Sequence, residues 1–177
     1  DARDSMSLPP QAIDWSLAWR QDKPLRGLRI GLLLDAGCGL PVVPPVGVAI
    51  THAAHLFEAH GARVDTLAPF MTPEMLDGLD HFWRMRSMLE LDALDAPARA
   101  SVLPVIRAWA DSARGMSGAE VFRAYAQTHA TRVAATRAMQ GFDYVISPVS
   151  PNAPAPAEWA SPTNDPLRGL EHIGFTV

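Results

Sequence analysis

Lysine is almost absent from this chain. Lys23 is the only one in 177 residues, and the other fourteen basic residues are arginines. Any reaction that needs a buried catalytic lysine must therefore use Lys23 or a residue outside the sequence. Cysteine is equally scarce. Cys38 stands alone, so no disulfide forms within the chain, and a reducing, cytoplasmic compartment is the default expectation. The leading residues Asp1-Ala2-Arg3-Asp4 carry no basic-then-apolar signal. No apolar run approaches the roughly 18 residues of a membrane span, so no membrane partner is expected. Acids and bases are interspersed, with a net charge of −4 and no run of one sign. That argues against nucleic acid as a partner.

What is present suits a packed core. The chain is 48% hydrophobic and only 19% charged, which excludes a disordered composition. Its length fits a single α/β segment over 1–177, either one domain or part of a larger one. Sixteen prolines gather at element boundaries and in residues 148–166.

Residues 1–24 read as an irregular lead-in, with Trp15 and Trp19 packed over a surface and a helical turn at 11–19. The first strand falls within 28–34, where Ile30, Leu32 and Leu34 alternate with Arg29, Gly31 and Leu33. It is apolar enough to be buried on both faces. A loop of glycine and proline leads to a helix over 46–60. Val46, Ile50, Ala53 and Phe57 form its inner face, with Ala49 and Leu56 beside them. Gly61 stops the helix, and a second strand follows within 63–68. Strand, helix and strand with tight joints make a right-handed βαβ unit with parallel strands.

Helices then dominate. Thr72 caps a helix over 73–94, with Pro73 at its first position and Glu74 favouring the dipole. Another is expected over 104–113, burying Ile106 and Trp109. Ser117 and Glu120 form a capping box for a long helix over 117–139, expected to turn Phe122, Ala126, His129 and Val133 inward. Gly141 ends it. Asp143 to Ser147 is a short buried strand by its aromatic and β-branched content. Pro148 stops that strand, and four prolines within 148–156 hold the chain extended after it. A chain that stiffens on leaving a buried strand shapes the rim of a cleft. Residues 157–168 read as loop, and Leu170 to Val177 as a short apolar end.

Several segments resemble the amidase-signature family, in order. Asp4-Ser5 and Asp14-Trp15 resemble the region after its signature core. Pro24-Leu25-Arg26-Gly27-Leu28-Arg29-Ile30-Gly31 is similar to its "plkGlrIGv" strand. Gly39-Leu40-Pro41-Val42 resembles the stretch leading into the next helix, and Leu56-Glu58-Gly61-Ala62-Val64 matches "le.lGaeV". Ser117-Gly118-Ala119-Glu120 and its helix lead to Asp143-Tyr144-Val145-Ile146-Ser147-Pro148-Val149-Ser150-Pro151, which looks like "(Y)DvlltPttp". Where the family carries acidic residues before its first helix, this chain has Val43-Pro44-Pro45.

The resemblance implies an α/β fold: part of a mostly parallel, mixed β-sheet flanked by helices. It implies the C-terminal portion of an amidase domain, which hydrolyses a linear carboxamide to acid and ammonia or amine through a serine acyl-enzyme. The family's nucleophile, helper serine and lysine sit in a glycine- and serine-rich signature. This chain has no Gly-Gly-Ser-Ser-Gly run and no adjacent serines. It is therefore expected to supply cleft walls without the catalytic residues, with the remainder of an amidase chain as its partner and a small-molecule amide as substrate. A homodimer is a further assembly the sequence leaves open. Two alternatives stand beside this one: part of a glutamine-dependent amidotransferase subunit, and a non-catalytic α/β binding domain. No cofactor and no metal are expected.

The expected substrate-binding residues are Trp83, Pro148, Ser150, Pro151, His172, Ile173 and Phe175. In the amidotransferase-like members the resemblance implies an acidic residue near 173 that holds an amino group. Ile173 in its place implies a neutral or apolar amide. Other residues have ordinary readings. Cys38 lies between Gly37 and Gly39 with no evident activating partner, so it reads as a small loop residue. His52 and His55, at i and i+3, lack a third ligand and read as surface histidines. His129 reads as a core histidine. Phe82, Met85 and Met88 share helical spacing with Trp83 and read as core, with cleft lining as the alternative for the group, and Arg84 and Arg86 read as a solvated face.

Overall fold

The computed structural model describes residues 25–176. The expected lead-in with its helical turn, Lys23 and Val177 lie outside the described residues. Within them, three parallel strands form one sheet in the order β2-β1-β3, namely β1 (Arg29–Leu32), β2 (Arg63–Thr66) and β3 (Tyr144–Ile146). The helices are α1 (Pro44–Ala59), α2 (Pro73–Asp92), α3 (Ala96–Ser101), α4 (Pro104–Asp111) and α5 (Gly118–Ala138). Short 3-10 turns sit at Ser112–Gly115 and Pro166–Arg168. The class is α/β, a parallel sheet flanked by helices, as the resemblance implied.

The central strand is β1, and its composition explains why. Ile30, Gly31 and Leu33 are buried, so the run tolerates a neighbour on each edge. A Cβ on Gly31 would lie 3.3 Å from the Phe142 ring and 3.4 Å from the Leu67 side chain. The missing side chain lets that ring close over the strand. The register of β3 is clamped at its start: Arg29 N–H donates to the Asp143 carboxylate at 2.8 Å, and Asp143 N–H donates to the Arg29 carbonyl at 2.8 Å. The expectation of a buried third strand is corrected here. β3 is half-buried, and Tyr144 is 63% exposed, because among the described residues β3 pairs on one side only.

Local signals place most helix ends. Thr72 Oγ1 accepts from Met75 N–H at 3.2 Å and so starts α2. The Ser117–Glu120 capping box starts α5 with both reciprocal bonds present. Gly61 and Gly141 take the left-handed conformation (φ 102° and 85°) that follows α1 and α5. α1 begins two residues before the expected start, at Pro44, because proline is pre-set for the first helical turn. Leu56 and Ala49 face solvent instead of flanking the inner face. The expected helix over 73–94 ends at Asp92, and Asp95 caps the unforeseen α3 through Ala98 N–H at 2.8 Å.

α5 reverses the expected face. Phe122 is 72% exposed, and Ala126 and His129 also face outward, while Ala124 and Thr131 are buried. The cause is the tight approach of α2. A Cβ on Gly78 would collide with the Gln127 side chain and lie 3.4 Å from the Ala124 carbonyl. The face of α5 that meets Gly78 carries Ala124 and Gln127, and Phe122 turns away from it.

A second correction concerns Arg84, which is not solvated but 6% exposed. Its Nε donates to Asp80 at 2.6 Å, its Nη1 to Ser112 Oγ at 2.8 Å and its Nη2 to the Leu167 carbonyl at 3.4 Å. Asp80 also accepts from Trp109 Nε1 at 2.9 Å, and Ser112 Oγ donates to the Trp109 carbonyl at 2.6 Å. Met88, Leu91, Trp109, Ala110 and Ala113 pack as the apolar cluster beside this network. Arg86 does face solvent, over the Trp83 ring at 4.7 Å.

Two outcomes follow from these contacts. Asp80→Ala strands a buried guanidinium and should destabilise the protein by about 3–5 kcal/mol in urea titrations, whereas Asp80→Asn keeps an acceptor for Trp109 and should cost less. Stability should also fall in acid. A hydrogen bond from Arg114 holds Asp92 below the usual carboxylate range, one from Arg99 does so for Asp111, and one from Ser117 for Glu120. Their support is present above the ordinary carboxylate pKa and is lost as pH falls through the lowered values. Urea midpoints should therefore drop from pH 6 to pH 3, less steeply in Glu120→Gln.

Candidate functional site

All three strands are parallel, so the segments that follow them leave from one edge of the sheet. That edge is where open α/β sheets place ligands. Backbone bonds stitch the segments together. Leu33 N–H donates to the Ile146 carbonyl at 3.0 Å, Leu67 N–H to Leu32 at 2.9 Å, and Met71 N–H to Ala36 at 2.9 Å. Val43 N–H donates to the Pro151 carbonyl at 2.9 Å, tying the start of α1 to the proline segment.

Two grooves open around this region. The first, of about 710 Å³, lies between the N-terminal half of α1 and the segment 148–162. Pro148 and Pro151 are fully buried beneath it. Ser150 Oγ accepts from Asn152 N–H at 3.2 Å, which turns the chain after the strand. Val46, Ile50, Pro154 and Trp159 make the walls largely apolar. The second groove, of about 810 Å³, lies between α2 and α5 and is closed by residues 170–176. Phe82, Trp83, Trp109, Leu170 and Ile173 give it aromatic and aliphatic walls. The hydroxyls of Thr128 and Thr136 donate to their own helix, at 2.7 and 2.8 Å. The buried Thr131 hydroxyl has no hydrogen-bond partner among the described residues.

The expected site residues do not converge on one place. Pro148, Ser150 and His172 line the first groove, and Pro151 supports it from below through its carbonyl. Trp83 and Ile173 line the second. Phe175 packs instead against the buried cluster of Ala36, Cys38, Met71 and Leu79. Sequence reasoning missed Trp159, Ser161 and Thr131. Trp159 and Ser161 sit in an irregular loop without periodicity, and Thr131 belongs to the helix stripe that was phased outward.

Among the described residues no serine or cysteine is hydrogen-bonded to a histidine. Cys38 is buried, and burial pushes its thiol pKa up, the opposite of an activated nucleophile. His52 and His55 are exposed on α1. No group of three or more His, Cys, Asp or Glu among the described residues could hold a metal ion. No helix among them is long and apolar enough to cross a membrane.

Native Cys38 should therefore react slowly with Ellman's reagent and rapidly once urea unfolds the chain. Fast stoichiometric reaction of the folded protein at pH 8 would contradict this burial.

No protein-family model matches the chain, and no curated protein matches it significantly. Among solved structures it is similar to a bacterial aryl acylamidase of the amidase-signature enzymes, with a TM-score of 0.67 and 22% sequence identity. The likeness covers 88% of this chain and 33% of that enzyme, so the chain spans about a third of its neighbour's length. What the two share is the α/β fold, which in this chain is a parallel sheet flanked by helices.

Proposed function

We propose that this chain forms the substrate cleft and structural portion of an amidase. The reaction is hydrolysis of a linear carboxamide through a serine acyl-enzyme. The serine attacks the carbonyl carbon, the amine leaves with a proton, and water then cleaves the ester to give the acid. The observation that carries this reading is the fold shared with an aryl acylamidase over most of the chain. The attacking serine, its helper serine and the lysine would come from residues beyond these 177, since the sequence has no adjacent serines and only Lys23.

The chain's own contribution is shape and polarity. Among the described residues, Arg132 at the second groove is the only lysine or arginine that lines either one. The apolar walls at Trp83, Ile173 and Trp159 suit a neutral amide with a hydrophobic body. The proline segment supplies a stiff rim, because Pro148 and Pro151 are fixed both in φ and by burial.

Release of 4-nitroaniline from 4-nitroacetanilide tests the assignment. Residues 1–177 alone should release none above buffer. The same residues joined to a segment bearing the serine–serine–lysine signature should turn the substrate over. In that joined protein Trp83→Ala should raise KM about 5- to 30-fold with kcat within about twofold, as expected for a lost apolar contact. Turnover by the 177 residues alone, or a folded joined protein inert towards all neutral amides, would overturn the proposal.

A further inference from the structure

The second groove is apolar except for one cation. Among the described residues Arg132 is the only charged side chain that lines it. Arg132 is exposed, and among those residues it makes no ion pair. The acids on the surrounding elements are engaged elsewhere. On α2, Asp80 accepts from Arg84 and Trp109. In the segment that closes the groove, Glu171 accepts from Arg168 Nε at 2.6 Å. The one acid on α5 is Glu120, held in the capping box and twelve residues before Arg132, which is about 18 Å along a helix. The guanidinium therefore stands at an apolar groove with its charge answered by solvent.

We propose that this groove binds a small monoanionic carboxylate with an aromatic body, its carboxylate paired with Arg132 and its body against Phe82, Trp83 and Ile173. The chemistry selects both ends. A guanidinium presents a planar fork of donors that matches a carboxylate bidentately. The pair gains strength beside apolar walls, where the local dielectric is lower than in water. A cation is repelled, and a neutral molecule leaves the guanidinium to solvent. A dianion would keep one charge unanswered, because Arg132 is the single cation there and the Thr128 and Thr136 hydroxyls donate to their own helix. The walls select the aromatic body. Phe82 and Trp83 meet edge-on, with centroids 5.8 Å apart and planes at 67°, so they offer ring edges and faces to a further ring. Trp83 also belongs to the substrate wall proposed above, so such an anion would compete with the amide.

The inference stands on the groove alone and needs no acyl transfer, so it is measured without turnover and its failure is read separately from the nitroanilide assay. Three probes that differ only in the end group, 4-phenylbutyrate, 4-phenylbutan-1-ol and 4-phenylbutylamine, are titrated into the protein and followed by the tryptophan-indole NMR signals. Phenylbutyrate should bind with a Kd on the order of 1 mM, as a fragment of its size can, and shift the signals of Trp83 and Trp109. The alcohol should bind at least about threefold more weakly, and the amine more weakly still. Arg132→Gln, at an exposed position, should bring phenylbutyrate to within about twofold of the alcohol and leave the alcohol unchanged. Arg137→Gln removes the same charge one turn further on, away from the groove lining, and should keep the preference. The comparison on the unaltered protein needs neither variant. A preference under about threefold, a preference that survives Arg132→Gln or is lost equally in Arg137→Gln, shifts confined to other tryptophans, or no binding would each overturn the proposal.

Discussion

The buried charge of Arg84 organises the helical half of this protein. A guanidinium taken out of water must have its charge and its donors answered, and here four residues answer them: Asp80 one turn earlier on α2, Trp109 on α4 through Asp80, Ser112 just after α4, and Leu167 through its carbonyl in the late 3-10 turn. Each bond alone is modest. Together they fix how far α4 and the 160–170 segment stand from α2, because moving any one leaves a buried charge or dipole unmet. The second groove has Trp109 in its wall, so its shape follows from this network.

The sheet end is held by different means. Short backbone bonds between the segments that leave β1 and β3, and the Val43–Pro151 bond, make the start of α1 and the proline segment one unit. Proline performs two tasks here. It cannot extend the strand, and it cannot fold back into a helix, so the chain stays open and forms a wall. Close packing completes the region from the other side. A Cβ on Gly174 would lie 2.9 Å from Cys38 Sγ, so the segment before Phe175 docks against the loop after β1 only because residue 174 has no side chain. Cys38 is consumed by that packing.

How much of this was legible in the sequence depended on the range of the forces involved. Strand, helix and strand at the start, the Thr72 cap, the Ser117–Glu120 box and the glycine stops are local chemistry, and they appear where the residues say. α3 was missed because its six residues show no full period, although Asp95 is a capping residue in plain view. α5 was placed correctly along the chain but turned to the wrong face. Its sequence carries a bulky stripe and a small one, and bulk alone argued for Phe122 inward. Which stripe faces the core was decided by Gly78 on another helix. Arg84 was misjudged for a similar reason: its partners Ser112 and Leu167 are 28 and 83 residues away. The site residues scattered likewise. Pro148, Ser150 and His172 gather at one groove and Trp83 and Ile173 at another, while Phe175 belongs to the core.

The sequence by itself determined the elements, their order, the α/β class and the proline-stiffened segment after β3, since these follow from backbone restriction and short-range periodicity. Only the tertiary structure decided which helix faces meet and that Arg84 is buried and answered. Those outcomes depend on close approach between distant segments. Whether two surfaces fit is a property of their joint shape, which no single stretch of chain contains.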